Sequence, residues 1–476
     1  MEAVLGEPAL VRICDLAGRP RGTGFLADEL GTVITSHEAV DGLGRVIVNT
    51  REDRSHLAEA DDITPLPEWD LALIRTDGLD VAPLVIGAER ADATGLRVRL
   101  RTGHTAPPGP ETWTDARLAG TATVTYTSTD RFHALEEVLE LDLPEAAVAE
   151  LPLSRRASGS PVLDAETGAV LAVLGTALHS RGRAAGFAVP LRTAGLLEPD
   201  GPLGTLLARN GATVPGYGLD LNLAGVLRLT AVSVGPAVER AREVRRVHRP
   251  EVADALRQFM ESDASAVALV GSPGTGRTTE LAALAARRSD EVAVAPTVWL
   301  RGADLRAEDG SVREAVGRAL SESRCTPSAD VAARLARDAK RPLVVLLDAP
   351  EEMPTRLARE LRRWTAGTAS WLRASGARMV IACGPEHWEQ AGEFFPYTML
   401  HEGAEPDSGA QGRHALPPCV RLGGLPSAQV ARAHERYGLD EGALSEADAG
   451  HLPTMRILAE ICGSLGGVVD YGSAAP

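Results

Sequence analysis

Over the first 195 or so residues, hydrophobic and polar positions alternate in short runs. ALVRICDL, TVITSHEAV, GRVIVNT, LALIRT, LRVRLRT, TATVTYTST, VLELDL, PVLDAETGAVLAVLGTAL and GFAVPL all carry this pattern, with Gly, Pro and Asp turns between them. Successive side chains of a strand point to opposite faces, so each run predicts a half-buried strand. Many short strands with no long helical pattern between them predict a sandwich or a pair of barrels. From about 196 to 245 the pattern weakens, and Gly or Pro at 201, 202, 204, 211, 215, 216 and 218 predicts a linker or connecting segment. After 250 the period changes. VADALRQFMES, TTELAALAARRS and SVREAVGRALSES read as amphipathic helices, and AVALVG, PTVWL, PLVVLLD and ARMVIAC as continuous apolar strands. Apolar strands alternating with helices predict a parallel sheet covered on both faces. From about 420 the pattern is helical only.

Length and charge narrow the class. A chain of 476 residues exceeds one ordinary core, so two or three domains are expected. The net charge of −16 argues against a general binder of nucleic acid or anionic membrane. No apolar run reaches the roughly 18 residues of a membrane span, and MEAVLGEPAL lacks the pattern of a signal peptide, so a cytoplasmic location is expected. Cys14, Cys325, Cys383, Cys419 and Cys462 show no CxxC spacing, so neither a disulfide framework nor a zinc site is expected. Lys340 is the only lysine beside 48 arginines.

The candidate chemistry of the first half starts at His37, where TSHEAV leaves an apolar run. Nucleophilic serine chemistry needs a base within reach of the hydroxyl, a carboxylate to orient the base, and backbone donors for the oxyanion. PEWDLALIRT puts Asp70 directly before an apolar strand, and RRASGSPVLD puts Ser158 in a Gly-bearing turn before a hairpin. Asp61 and Asp62 compete for the acid, but AEADDIT lacks a strand that would bury them.

The order His, Asp, Ser on an all-β background resembles the trypsin-like serine proteases, in their compact bacterial branch. GTGFLADELGTVITSHEAV, DLALIRT, ASGSPVLD and GFAVPL carry the resemblance, over about 190 residues. It implies His37 as general base, Asp70 as its orienting carboxylate, Ser158 as nucleophile, and an oxyanion hole built at Arg156 and Ser158. Arg156 stands where the family has glycine, which implies a hole collapsed at rest. Leu151 to Leu153 and Gly175 to Leu178 are candidate specificity-pocket residues, with a small or apolar P1 residue favoured.

In the second half, ALVGSPGTGRTTEL fits GxxxxGK[ST] with one substitution: Gly271, Gly274, Gly276, Arg277, Thr278. Glycines let backbone N–H groups wrap a phosphate chain at a helix N-terminus, with Thr275 and Thr279 beside them and Thr278 toward magnesium. PLVVLLDAPEE ends a strand in Asp348, as a metal-holding Walker B motif requires. Arg277 replaces the usual lysine with a planar fork, so binding with slow or absent hydrolysis is expected. VHRPEVADAL, DAPEE and AGHLPTMRILAEICG resemble the STAND class of P-loop NTPases, which includes NACHT and NB-ARC proteins. The resemblance covers about 246 to 470 and implies Arg249 and Pro453 at the nucleotide and Glu351 or Glu352 positioning water. It also implies ATP or ADP with Mg2+ as cofactors. ACGPEHW has Gly384 where a phosphate-sensing arginine often stands.

The expected architecture is multidomain: an all-β double-barrel trypsin-like domain (1–198), a linker or connecting segment (199–245), an α/β P-loop NTPase core (246–415) and a helical lid region (416–476). The expected function is a nucleotide-regulated serine endopeptidase acting on protein or peptide, forming a homo-oligomer on activation, as in bacterial defence or conflict systems. A separate sensor protein, or a sensor region beyond YGSAAP, is expected to trigger it. The alternative is a non-catalytic signalling scaffold with a degenerate protease fold. A nucleic-acid motor is disfavoured by the acidic balance.

Overall fold

The structure, a computed structural model, describes residues 9–52, 54–90, 93–101, 113–144, 155–179, 186–243, 247–290, 294–321, 328–402, 416–439, 444 and 450–466. It divides into two units, Met1–Gly225 and Val226–Pro476.

The first unit is built on two curled seven-stranded sheets. One contains β1 (Val11–Cys14), β2 (Pro20–Leu26), β3 (Thr32–Ser36), β4 (Val46–Asn49), β5 (Ser55–Ala58), β6 (Ile63–Leu66) and β7 (Leu71–Arg75), in the order β5-β4-β1-β2-β3-β7-β6. The other contains β8 (Arg97–Arg101), β9 (Trp113–Thr127), β10 (Phe132–Asp142), β11 (Pro161–Asp164), β12 (Val170–Gly175), β13 (Leu178–His179) and β14 (Gly186–Pro190). Its order is β10-β14-β12-β11-β8-β9-β13, and pairing of β10 with β9 closes it. One core joins the sheets: Phe25, Ile34 and Leu71 from the first meet Val124, Tyr126, Val138 and Val173 from the second. The strands β9 and β10 run well beyond the short segments that TATVTYTST and VLELDL suggest. In β9 the small residues Ala119, Gly120 and Ala122 interrupt the alternation of apolar and polar side chains that identifies a strand.

The segment expected as a connector is folded. Helices α1 (Leu191–Leu197) and α2 (Pro202–Thr213) bury Leu191, Leu203, Leu206 and Leu207 in the first core. The side chain of Asn210 donates to the carbonyls of Ala27 and Leu84 and accepts from the N–H of Ile86. The Gly and Pro residues that suggested a linker have helical reasons. Gly201 is the N-cap and Pro202 opens the first turn. A Cβ at Gly204 would stand 2.3 Å from the carbonyl oxygen of Pro199. Helix α3 (Leu223–Glu243) then carries the chain across the division, and its Val234 and Val238 enter the core of the second unit.

The second unit is a five-stranded parallel sheet of β15 (Ala266–Val270), β16 (Thr297–Arg301), β17 (Val344–Asp348), β18 (Arg378–Cys383) and β19 (Val420–Arg421), ordered β16-β17-β18-β15-β19. The strands β15 and β17 are buried along their whole length, which explains their unbroken apolar runs. Around the sheet are α4 (Pro250–Glu261), α5 (Arg277–Asp290), α6 (Val312–Ala319), α7 (Ala329–Asp338), α8 (Thr355–Arg359), α9 (Leu361–Ser375) and α10 (Pro385–Ala391). Two further helices, α11 (Ser427–Tyr437) and α12 (Leu452–Gly466), share a small core of Ala433, Leu439 and Met455 with Val247. Among the described residues, no helix is long and apolar enough to cross a membrane.

Candidate functional site

The candidate residues of the first unit meet where the two sheets face each other. Strand β3 ends at Ser36, and His37–Ala39 forms one turn of 3-10 helix capped by the Ser36 hydroxyl. Across the sheet, Asp70 has the left-handed angle φ 47° at the end of the Pro67–Trp69 turn, a conformation that Asp tolerates better than most residues. From the second sheet, the Arg155–Ala157 turn leads through Ser158 and Gly159 into β11. Gly159 is required there by position. Its φ is +84°, and a Cβ would lie 2.1 Å from the Thr23 carbonyl oxygen and 2.3 Å from the Thr35 hydroxyl. Thr23 holds the loop from β2, its N–H donating to the Ser158 carbonyl and its hydroxyl to the Arg156 carbonyl.

Among the described residues, no hydrogen bond joins His37 to Ser158. The His37 ring is buried, and its Nδ1 lies 2.7 Å from the hydroxyl of Tyr126, a β9 residue that stacks in turn on His133. Burial is the main cause holding the His37 pKa below its ordinary value, opposed by Asp41. The group against Ser158 is the next residue along. Ser158 Oγ donates to Glu38 Oε2 at 2.9 Å, and Thr176 Oγ1 donates to the same oxygen at 2.6 Å.

Asp70 likewise serves Glu38 rather than the His37 ring. Its Oδ1 accepts from the Ser36 hydroxyl at 2.9 Å and from the Glu38 N–H at 3.1 Å. Its Oδ2 is buried without a hydrogen-bond partner, and desolvation pushes the carboxyl well above the usual carboxylate range. Asp62 sits at the surface on Arg75, which separates it from this cluster. The physical reason for the one-residue offset is the turn. Once β3 gives way to 3-10 backbone, alternation ends and the following side chain, not the first, faces the serine.

Ser158 is fully buried, whereas the Arg156 side chain is exposed. Ahead of Ser158 the Arg155–Ala157 segment forms one turn of 3-10 helix, with Arg156 in its middle. The proposed pocket residues Leu151 to Leu153 lie outside the described residues, while Gly175 is packed so closely that a Cβ would meet Leu178 and, at 2.9 Å, Asp70 Oδ2. Neither Glu38 nor Thr176 stands out in the sequence. The signal that could have found Glu38 is its place in SHEAV, beside the chosen histidine.

In the second unit, residues 271–276 leave the carboxyl end of β15 and turn into α5, which starts at Arg277. Gly274 and Gly276 have φ of +86° and +94°. Thr278 Oγ1 donates to Asp348 Oδ1 at 3.0 Å, joining the loop to the end of β17. Burial raises the Asp348 pKa, with the Thr278 hydrogen bond and Arg277 opposing it. Arg277 Nη1 lies 3.0 Å from Glu351 Oε1 and 3.6 Å from where a Cβ of Gly384 would stand, so its longer side chain occupies space beside that glycine. Glu352 is exposed on the same Pro350–Glu352 turn.

Arg249 is nearly fully buried and donates to the carbonyls of Thr275 and Gly423, so it braces the loop while also lining the cavity beside it. Pro453 of α12 abuts the loop, its Cγ 2.8 Å from a Cβ placed at Gly274. A cavity of about 300 Å³ remains, lined by Gly276, Thr278, Thr279, Tyr437, Pro453 and Arg456 among others.

Solved structures similar to this chain include the Rv3671c protease from M. tuberculosis in its active form, at 24% identity and a TM-score of 0.32, covering 40% of this chain and 80% of that one. The MamO protease domain from Magnetospirillum magneticum is 19% identical with a TM-score of 0.31, covering 39% of this chain and 94% of that one. The HtrA-type protease AlgW with a decapeptide is 16% identical with a TM-score of 0.30, covering 42% of this chain and 64% of that one. No curated protein matches the chain. Residues 22–173 match the family model of the trypsin-like peptidase domain, and the first unit of this chain thus carries a domain of that kind.

Proposed function

We propose that the chain is a serine endopeptidase acting on protein or peptide, held latent in the first unit and governed by nucleotide binding in the second. The observation that carries the peptidase reading is Ser158: within a trypsin-like domain, its hydroxyl donates to a carboxylate in a loop pinned by β2. Latency is supported by the complete burial of Ser158 and by the tight turn before it, where Arg156 replaces the glycine of an open oxyanion hole. Loss of an oxyanion donor lowers rate on the order of a hundredfold or more.

Nucleotide binding is supported by the donor set. A glycine loop enters a helix at the carboxyl end of a parallel strand, the usual crevice for ligands in such sheets. Thr278 and Asp348 would hold Mg2+, Arg277 would grip the phosphates of ATP or ADP, and Glu351 or Glu352 would orient water. Bound nucleotide with its metal would supply charge that competes with Glu351 for Arg277. Release of α12 from the loop would then favour assembly into a homo-oligomer, in keeping with the STAND resemblance.

A second reading, a non-catalytic scaffold, is favoured by one observation: the His37 ring is engaged with Tyr126. Labelling with a fluorophosphonate, with and without ATP and Mg2+, separates the two. Covalent labelling that disappears in Ser158→Ala supports the peptidase. Absence of labelling under every condition, with nucleotide bound, supports the scaffold.

A further inference from the structure

Serine acylation needs a group that takes the hydroxyl proton, and the group must stand within hydrogen-bond reach. Among the described residues Ser158 Oγ has such a contact with Glu38 Oε2. Two other features make this carboxylate a positioned one. Thr176 Oγ1 donates to the same oxygen, and the backbone of Glu38 is anchored by its N–H to Asp70 Oδ1. Arg21 of β2 adds a contact to the Glu38 carbonyl at 3.5 Å.

We propose that Glu38 is the proton acceptor for Ser158, so that this centre runs serine chemistry on a carboxylate in place of an imidazole. The inference rests on the peptidase reading above. In acylation the Ser158 O–H bond breaks as Oγ bonds to the scissile carbonyl carbon, and the proton passes to Glu38 Oε2. The substrate C–N bond then breaks, and the proton leaves Glu38 for the departing amine. In deacylation a water oxygen bonds to the acyl carbon while its proton goes to Glu38. The Oγ–C bond then breaks, and Ser158 regains a proton from Glu38.

Asp70 acts here as a positioning residue for the turn, and His37 stands outside the reaction. The charged and titratable groups around Glu38 are Arg21 from β2, Asp70 before β7, Tyr126 from β9, and His37 and Asp41 on its own segment. An imidazole base is lost as pH falls through about 6.5, and a centre that uses no imidazole lacks that loss.

The test is the rate of fluorophosphonate labelling of the full chain, with ATP and Mg2+, from about pH 4.5 to 8.5, a window spanning carboxylate and imidazole titration. The parent is expected to label at a rate that does not drop between about pH 7 and 5.5, where an imidazole base would lose about tenfold. Glu38→Gln is expected to slow labelling about a hundredfold or more at every pH. Glu38→His is expected to label with a rate that rises through the histidine range, and His37→Gln to label within about threefold of the parent. Labelling of Glu38→Gln at the parental rate, or its loss in His37→Gln, overturns the assignment. A parent that is inert while Glu38→His labels Ser158 also overturns it, yet leaves the serine reading standing. No labelling in either protein removes the serine reading itself.

Discussion

Each unit sets a hydroxyl against a carboxylate beside glycines of positive φ, Ser158 with Glu38 and Thr278 with Asp348, at 2.9 and 3.0 Å. The settings differ. The Ser158 loop is locked by backbone: a Cβ on Gly159 would strike the Thr23 carbonyl and the Thr35 hydroxyl, both in the sheet. Around the loop 271–276 the neighbours of Gly274 and Gly276 are the side chains of His451, Leu452 and Pro453, at the start of α12. One hydroxyl is thus buried among central strands, whereas the other is half-buried in a loop that packs against a helix held through a small core. This difference suggests where a regulated motion can occur, because low-contact elements open at less cost than central strands.

The largest expected effect tests the locked loop. Gly159→Ala should destabilise the first unit by about 3–5 kcal/mol, since both the steric conflict and the positive φ oppose it. Calorimetry should show that unit's transition moving down while the other stays. A shift under about 1 kcal/mol would mean that the loop yields. Next, Arg277→Ala should weaken ATP binding, measured by titration calorimetry with Mg2+, by about tenfold or more, the worth of a charged hydrogen bond. Unchanged affinity would refute the phosphate-gripping role.

Asp70→Asn has a pH signature. The native carboxyl of Asp70 holds its proton more tightly than the unfolded chain does, so stability falls as pH rises from about 4 through the native titration. The Asn variant should therefore gain stability over the parent at neutral pH, and the gain should vanish toward pH 4. A parent whose stability relative to Asp70→Asn is flat with pH would contradict the burial of this charge. The smallest effect falls on the open loop. Gly276→Ala meets only Leu452 Cδ1 at 3.4 Å, so backbone strain of about 1–2 kcal/mol should be its whole cost. A loss equal to that of Gly159→Ala would erase the contrast between the loops.

Much of this was legible in the chain. The alternating runs of the first half and the apolar runs of the second identify sheets of opposite kind, because a one-sided sheet shows a period of two and a sheet covered twice does not. Less legible was 199–245, where Gly201, Pro202 and Gly204 read as loop residues although they start and pack a helix. Local composition cannot separate a glycine that frees the chain from one that admits a close neighbour.

The sequence by itself determined the residue types that any chemistry here must use. Ser158 in ASGSP, Asp70 before LALIRT, and the GSPGTGRT loop with Asp348 are all read correctly as turn and strand-end positions. Which side chains meet was decided only by tertiary structure. In SHEAV two adjacent residues could face the serine, and a 3-10 turn places Glu38 there while His37 goes to Tyr126. Arg249 reads as a nucleotide contact and does line the cavity at the loop, but its hydrogen bonds to the carbonyls of Thr275 and Gly423 emerge only in the fold. The reason is the same in both cases. Side-chain direction at a turn depends on backbone angles and on partners far along the chain, and neither is written in the local pattern.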